Sequence, residues 1–544
     1  MDETELTLMC YNTSTPMSTV QAPTTSDFQA QLHDALKENH RLENEVRLLH
    51  ELLALERNRR FGPKSEKTPP DQQAGLFNEA EATADPAEPE PELALQPQTE
   101  PDVSPSARKA RRPRTLDLSR LSREQVVYAL PEQEQICPQC SGALHEMSEE
   151  TRREIKVIPA RIVVVEHVRK KYACRHCQQH ETSTPVLTAP MPAPAFPGSL
   201  ASASAVAYII GQKFLEAAPL YRQEKSWARN GVDLSRQTLA NWVIKGADWL
   251  TPIYDKMREQ LLRSDIVKAD ETPVQVLHED GRKAQTKSFM WLYRSGRDGP
   301  PIVLFEYQTT RSGEHPKAFL KGFRGYLQAD GYAGYGRVPD VVPVGCWAHA
   351  RRKFDEALSV LSDADRKKGA TIAHVGLSYC NRLFAVEREF QDATPEERRW
   401  ARLERSKPLL DEFHVWLTSR SIEVLPKSPS GTAVSYCLKQ WDRLVTFLED
   451  GRLDIDNNSS ERAIKGFVIG RKNWLFANTP AGAKASQVLY SVIESAVENG
   501  LHPTAYIEYL LETLPNVTTS ALDGLMPWSP SLPSNLRSPA LLPH

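Results

Sequence analysis

Ile266-Val267-Lys268-Ala269-Asp270-Glu271-Thr272-Pro273 is the stretch whose reading decides the fold. A short β-branched run reaches a carboxylate and meets Thr-Pro, which predicts a buried strand that ends at a sheet edge, with Asp270 where it emerges. The arrangement returns at Gly325-Tyr326-Leu327-Gln328-Ala329-Asp330-Gly331-Tyr332, where Gly331 is expected to allow a sharp turn just past the acid. A third acid, Glu461, follows in Asp454-Ile455-Asp456-Asn457-Asn458-Ser459-Ser460-Glu461-Arg462, read as a polar loop, a cap and the first turn of a helix. Asp, Asp and Glu from distant segments suit a site for two Mg²⁺ ions, because hard cations prefer carboxylate oxygen and catalytic Mg²⁺ keeps room for water and phosphate. Taken singly, each acid is more readily a turn residue, and spacing alone does not decide.

Four runs taken together do decide. Asp270-Glu271-Thr272-Pro273, then Asp330-Gly331-Tyr332-Ala333-Gly334-Tyr335, then Cys346-Trp347-Ala348-His349-Ala350-Arg351-Arg352-Lys353-Phe354, and Asp456 to Arg462 followed by Gly470-Arg471-Lys472-Asn473-Trp474-Leu475-Phe476 are similar, in order and separation, to the DDE transposases of the insertion sequence 66 family. The resemblance runs from about Leu32 to Trp528. Lys465-Gly466-Phe467 departs from it where Arg-Pro is expected, which removes a helix-ending proline and touches no carboxylate. The resemblance implies a ribonuclease-H-like α/β catalytic core. It also implies Mg²⁺ (or Mn²⁺) held by Asp270, Asp330 and Glu461, one ion activating water or a terminal 3′-hydroxyl and the other stabilising the leaving oxygen. Arg471 and Lys472 would clamp DNA phosphates, though such residues are more often merely solvated. Partners implied are DNA, as element terminal repeats and target, and accessory proteins of the same element, in a bacterial cytoplasm at the nucleoid. Glu494, among Val492, Ile493, Ala496 and Val497, is the rival third acid; it reads as a buried or rim residue paired with a cation. Cys346 and His349 are expected to orient the region rather than bind Mg²⁺, which has little use for thiolate.

The remaining chain predicts a multidomain protein. At 544 residues it exceeds one ordinary core. Its net charge of -3 hides segregated signs. No run of eighteen apolar residues occurs, and Asp2, Glu3 and Glu5 replace the basic start of a secretion signal, so a soluble intracellular protein with no membrane contact is expected. After a disordered N-terminus (1–27), the positions Phe28, Leu32, Ala35, Asn39, Leu42, Val46, Leu49 and Leu53 alternate steps of four and three, the seam of a coiled coil (28–60). Asn39 at an a position favours a parallel homodimer, the alternative being an amphipathic helix packed on its own domain. Residues 61–125 read as a disordered linker: Thr68 to Ser106 holds eight prolines, nine acids and no Lys or Arg. A basic arm follows at Arg108, Lys109, Arg111, Arg112 and Arg114, able to bind DNA through counterion release or to remain a solvated tail.

Cys137-Pro138-Gln139-Cys140 and Cys174-Arg175-His176-Cys177, with 33 residues between them, predict a closed Cys₄ Zn²⁺ site in a domain of residues 126–190. No position is left open for substrate, so the zinc is structural. In residues 198–262, helix, Asn230-Gly231, Ser235 cap and second helix from Arg236 make a helix-turn-helix. Arg236, Gln237 and Asn241 are its DNA-binding candidates, with Leu239 and Trp242 facing the core. The catalytic domain is expected over 263–505, with strands at Phe289 to Arg294 and Ile302 to Tyr307 and a mainly helical insertion at about 345–450. A helix from Ala485 to Asn499 and a C-terminal segment (506–544) complete it. Rival functions are a zinc-containing DNA-binding regulator without catalysis and a plain ribonuclease-H-like nuclease.

Overall fold

Five runs rich in β-branched and aromatic residues form one mixed sheet in the computed structural model of the chain. Residues 32–39, 162–173, 186–361 and 369–537 are described, with Arg366 and single residues or pairs of a helix between 41 and 57. The four zinc-ligand candidates, the acidic linker, the basic arm and Phe28 of the seam lie outside the described residues.

Two short antiparallel strands, β1 (Lys171–Ala173) and β2 (Val186–Thr188), precede three helices, α1 (Ala203–Phe214), α2 (Leu220–Arg229) and α3 (Arg236–Leu261). Gly231, at φ +84°, turns the chain between α2 and α3. Ser235 caps α3, its hydroxyl accepting from Thr238 N–H at 3.2 Å. The helix runs far past Val243 because Leu250, Ile253, Tyr254, Met257 and Leu261 continue the helical spacing and are all buried.

The sheet is built from β3 (Ile266–Gln275), β4 (Lys287–Ser295), β5 (Val303–Gln308), β6 (Gly325–Gln328) and β7 (Val341–Val344), with α4 (Glu314–Phe319) between β5 and β6. The order across it is β5-β4-β3-β6-β7, antiparallel through β3 and parallel beyond. One expectation is corrected here: β3 does not stop at Thr272-Pro273. Strand β4 pairs with it from Val267 to Gln275, whereas β6 pairs only from Ile266 to Lys268. Past Lys268 one side of β3 is therefore open, where a residue lacking an N–H is tolerated.

The insertion consists of α5 (Trp347–Ser359), α6 (Ile372–Glu389), α7 (Pro395–Ala401), a π-helical turn at Arg402–Ser406, α8 (Lys407–Ser421), α9 (Pro429–Lys439) and α10 (Trp441–Val445). It has its own core around Trp347, Phe354, Leu383, Phe413, Val434 and Phe447. The chain then returns as α11 (Asn458–Trp474), α12 (Pro480–Glu498) and α13 (Pro503–Thr513). Helix α12 begins before Ala485 because Thr479 caps it and Pro480 fits its first turn. Leu514, Leu522, Leu525, Met526, Leu532 and Leu536 of the C-terminal segment are buried in the main core, which extends back to Phe196. Among the described residues no helix is long and apolar enough to cross a membrane.

The free edge of β5 is sealed by side chains. Val303 N–H donates to Ser495 Oγ (3.0 Å), Phe305 N–H to Ser491 Oγ (2.8 Å) and Tyr307 N–H to Gln487 Oε1 (2.9 Å), all three from α12. Backbone donors of a buried edge strand need such partners.

Candidate active site

Strand register carries the two aspartates to the same end of neighbouring strands. Lys268 pairs with Gln328 in the last rung of the parallel ladder, and Asp270 and Asp330 each lie two residues beyond it. The approach of β6 needs Gly325, at φ +155°, since a Cβ there would collide with the Asp265 carbonyl. Gly331 sits in a bend of the chain just past Asp330, as expected, without a left-handed φ. A Cβ there would lie 3.0 Å from the Tyr436 ring, so its small size also makes room for α9. Asp330 Oδ1 accepts from Tyr332 N–H at 2.9 Å, fixing the carboxylate on its own loop.

Glu461 projects from the first turn of α11. The loop before it is tied to β3 by Lys268, a buried cation that pairs with Asp454 and donates to Ser459 Oγ at 3.0 Å. A lysine inside Ile-Val-Lys-Ala was the available sequence signal, because a buried ammonium demands a partner. Glu461 Oε2 lies 3.3 Å from Arg352 Nη2 and Oε1 lies 3.9 Å from His349 Nε2. Glu461 Oε1 and His349 Nδ1 are buried without a hydrogen-bond partner. Burial, then Arg352, hold the His349 pKa below its ordinary value, against the pull of Glu461 and Asp330. The Cys346 thiol accepts from Asn457 N–H at 3.2 Å, and burial pushes it up to about 12, so it stays protonated.

Burial, then the charge of Glu271, raise Asp270 from its ordinary 3.8 to about 7, with Asp330 and Glu461 pressing the same way and the Glu271 N–H opposing. Asp330 and Glu461 thus both act electrostatically on Asp270. Among the described residues no three carboxylate, imidazole or thiol groups converge closely enough to enclose an ion. The donor set nevertheless fits a hard divalent cation: it is all oxygen, and it includes a buried Glu461 oxygen without a hydrogen-bond partner.

The sign of the Asp270 effect is testable. An acid whose folded pKa is raised costs nothing below about pH 4 and progressively more towards pH 7, because the folded chain retains a proton that the unfolded chain has released. The full difference corresponds to roughly 4 kcal/mol at most. Without divalent metal, the melting temperature is expected to fall as pH rises from about 4 to 8, and Asp270→Asn to flatten that fall. Mg²⁺ should stabilise the wild type at pH 8 and the variant much less. Identical pH profiles in thermal melts of the two proteins would refute the assignment.

Glu494 lies elsewhere, midway along α12, raised to about 7 by burial and Glu498 and opposed by Arg294. The Gly466 departure makes room for it, since a Cβ on Gly466 would stand 2.8 Å from Glu494 Oε1. Arg471 donates to Thr272 Oγ1 at 3.2 Å, which joins the last turn of α11 to β3 just past Asp270; Lys472 is exposed. Arg236, Gln237 and Asn241 share the exposed side of α3, outside the carboxylate cluster, with Leu239 and Trp242 buried. Arg236 is paired with Glu224 at 3.0 Å and lies over the Tyr221 ring. Sequence reasoning passed over Lys268, Asp454 and Arg352, whose partners lie in other segments.

The family model described as "Transposase IS66 family" matches residues 198–485, a span that contains all three acids. The "zinc-finger binding domain of transposase IS66" matches 134–178, including Cys137, Cys140, Cys174 and Cys177, and the "IS66 C-terminal element" matches 491–528. The chain is 32% identical over 426 residues to the uncharacterized protein y4hP of Sinorhizobium fredii, covering 75% of each. It is 32% identical over 409 residues to the uncharacterized protein y4jD of the same organism, covering 72% of this chain and 78% of the relative. With more than half its length matched by one family model and three quarters by a relative at this identity, the chain belongs to the IS66 transposase family.

Proposed function

We propose that this protein is a DNA transposase that binds the ends of an insertion sequence and cuts and joins strands by metal-dependent phosphoryl transfer at Asp270, Asp330 and Glu461. The observation that supports the proposal is the buried Asp270 carboxyl, raised first by burial and then by Glu271, with Asp330 and Glu461, from segments far apart in sequence, adding to that rise. Counted along the chain, the strand order 3-2-1-4-5 supports a ribonuclease-H-like core. When bound, Mg²⁺ or Mn²⁺ would activate the attacking hydroxyl and neutralise charge on the transferring phosphate. Asp270, on β3, and Asp330, just past the end of β6, would hold the ion. Glu461, from α11, would complete the set in place of its contact with Arg352, whose guanidinium would then be available to phosphate. Arg471 and Lys472, in the last turn of the same helix, would be further phosphate contacts.

A regulator without catalysis leaves the buried cluster of like charges unexplained, and a plain nuclease would stop after hydrolysis. The protein incubated with labelled element ends and target plasmid in Mg²⁺ is expected to yield cleaved and joined strands. Cleavage without joining would leave the nuclease, and bound but intact ends would leave the regulator.

Dimerisation belongs to the same reading. Leu32, Leu42, Val46, Leu49 and Leu53 are 45–62% exposed on their helix, an apolar seam that one helix alone does not bury. The full chain is expected to sediment as a dimer, and the Leu42→Asp, Leu49→Asp variant as a monomer. An unchanged mass would refute the seam. The helix-turn-helix surface of Arg236, Gln237 and Asn241 and the Cys₄ zinc domain are proposed to hold the DNA ends.

A further inference from the structure

Asn457 is 2% exposed, and all its polar groups are engaged. Its Nδ2 donates to the carbonyl of Ala269, the residue before Asp270, at 2.8 Å. Its Oδ1 accepts from the hydroxyl of Ser460, the residue before Glu461, also at 2.8 Å. Its N–H reaches Cys346 Sγ at 3.2 Å, at the start of the helix that carries His349 and Arg352. Its carbonyl accepts from Ser460 N–H (3.0 Å) and Glu461 N–H (3.2 Å), beginning α11. Neighbouring Asp456 and Asn458 hydrogen-bond to each other, so of these three residues Asn457 makes the long-range contacts, beside the tie of Lys268 to Asp454 and Ser459.

We propose that Asn457 is a positioning residue for the reaction, its carboxamide fastening β3 just before Asp270 to α11 just before Glu461. This rests on the reading of those acids as the reacting site. A planar amide offers one group that donates to a carbonyl and accepts from a hydroxyl; aspartate has no donor and would add charge beside three acids. Mg²⁺ demands near-ideal octahedral geometry, so acids supplied by two elements serve it only while the elements keep their spacing. Loosening the clamp therefore weakens the metal requirement first and leaves DNA-end recognition, which lies on other elements, in place.

The test uses the full chain. For Asn457→Asp and Asn457→Ala, the Mg²⁺ concentration for half-maximal cleavage is expected to rise about ten- to a hundredfold, with Mn²⁺ binding read by electron paramagnetic resonance weakened by a similar factor. End binding should stay at its wild-type value, and a lower melting temperature in EDTA has no bearing on the outcome, since buried partners are left unpaired. A variant with wild-type metal dependence overturns the proposal, whether or not its stability has fallen. If Asn457→Ala does not fold, Ser460→Ala decides, since it removes only the hydroxyl bond to Oδ1: a raised Mg²⁺ requirement supports the clamp and an unchanged one overturns it. If the wild type binds Mn²⁺ but cuts no DNA, the functional reading fails while the Mn²⁺ comparison still judges Asn457.

Discussion

Glu461→Gln is expected to lower strand cleavage by about a thousandfold or more while element-end binding stays at wild-type strength. The change is isosteric, so α11 keeps its first turn, and only the charge facing Arg352 and the two aspartates is lost. Glu494→Gln supplies the contrast. That carboxyl is raised to about 7 by burial, so near neutrality much of it is already uncharged and the amide changes little. Its cleavage rate should stay within about threefold of wild type, with a gain in stability above pH 7 from removing a buried charge. Should Glu461→Gln cut like wild type, and Glu494→Gln be folded yet inactive, the site must be rebuilt around α12.

Cys174→Ser is expected to have the second large effect, on folding rather than on the reaction. Zinc held by four thiolates binds with an apparent free energy of about 10–16 kcal/mol in small zinc modules, and that binding is also their folding energy. The wild type should carry one zinc per chain by metal analysis. The variant should carry none, and protease should cut within 134–178, the span of the zinc-finger match, while the catalytic region stays resistant. Protein purified without chelator and free of zinc, or a variant as protease-resistant as wild type, would defeat the assignment of Cys137, Cys140, Cys174 and Cys177.

The sequence singled out Asp270, Asp330 and Glu461 through the joint resemblance of four runs, not through spacing, and the parallel register of Lys268 with Gln328 carries the two aspartates to the same end of neighbouring strands. Glu461 stands in the first turn of α11, as its polar run implied. The limits arise where a residue's role depends on a distant partner. Thr-Pro promised an end to β3, yet β4 pairs along its full length and carries the strand on. Asn457 looked like one more loop amide, and only the Ala269 carbonyl, brought in by tertiary packing, makes it a buried junction. The Leu and Pro residues after Thr513 carried no helical or strand period, and their short 3₁₀ turns bury leucines without one. At Gly331 the expected bend is present, and the space beside Tyr436 adds a demand for glycine that only the tertiary packing reveals.

The seal on the β5 edge has a consequence for how α12 can change. Four residues of α-helix advance about 6 Å and two residues of strand about 6.7 Å, so side chains at every fourth helical position stay nearly in step with every second strand N–H. Gln487, Ser491 and Ser495 use that near-match for three rungs, over which the two pitches drift by little more than an ångström. Here a helix performs the hydrogen bonding of a missing sixth strand, by commensurate pitch and not by shape. Inserting or deleting one residue between Gln487 and Ser495 would rotate the following rungs by about 100° and strand the buried N–H groups of β5. Exchanging a rung for another small acceptor, such as Ser491→Thr, keeps the step.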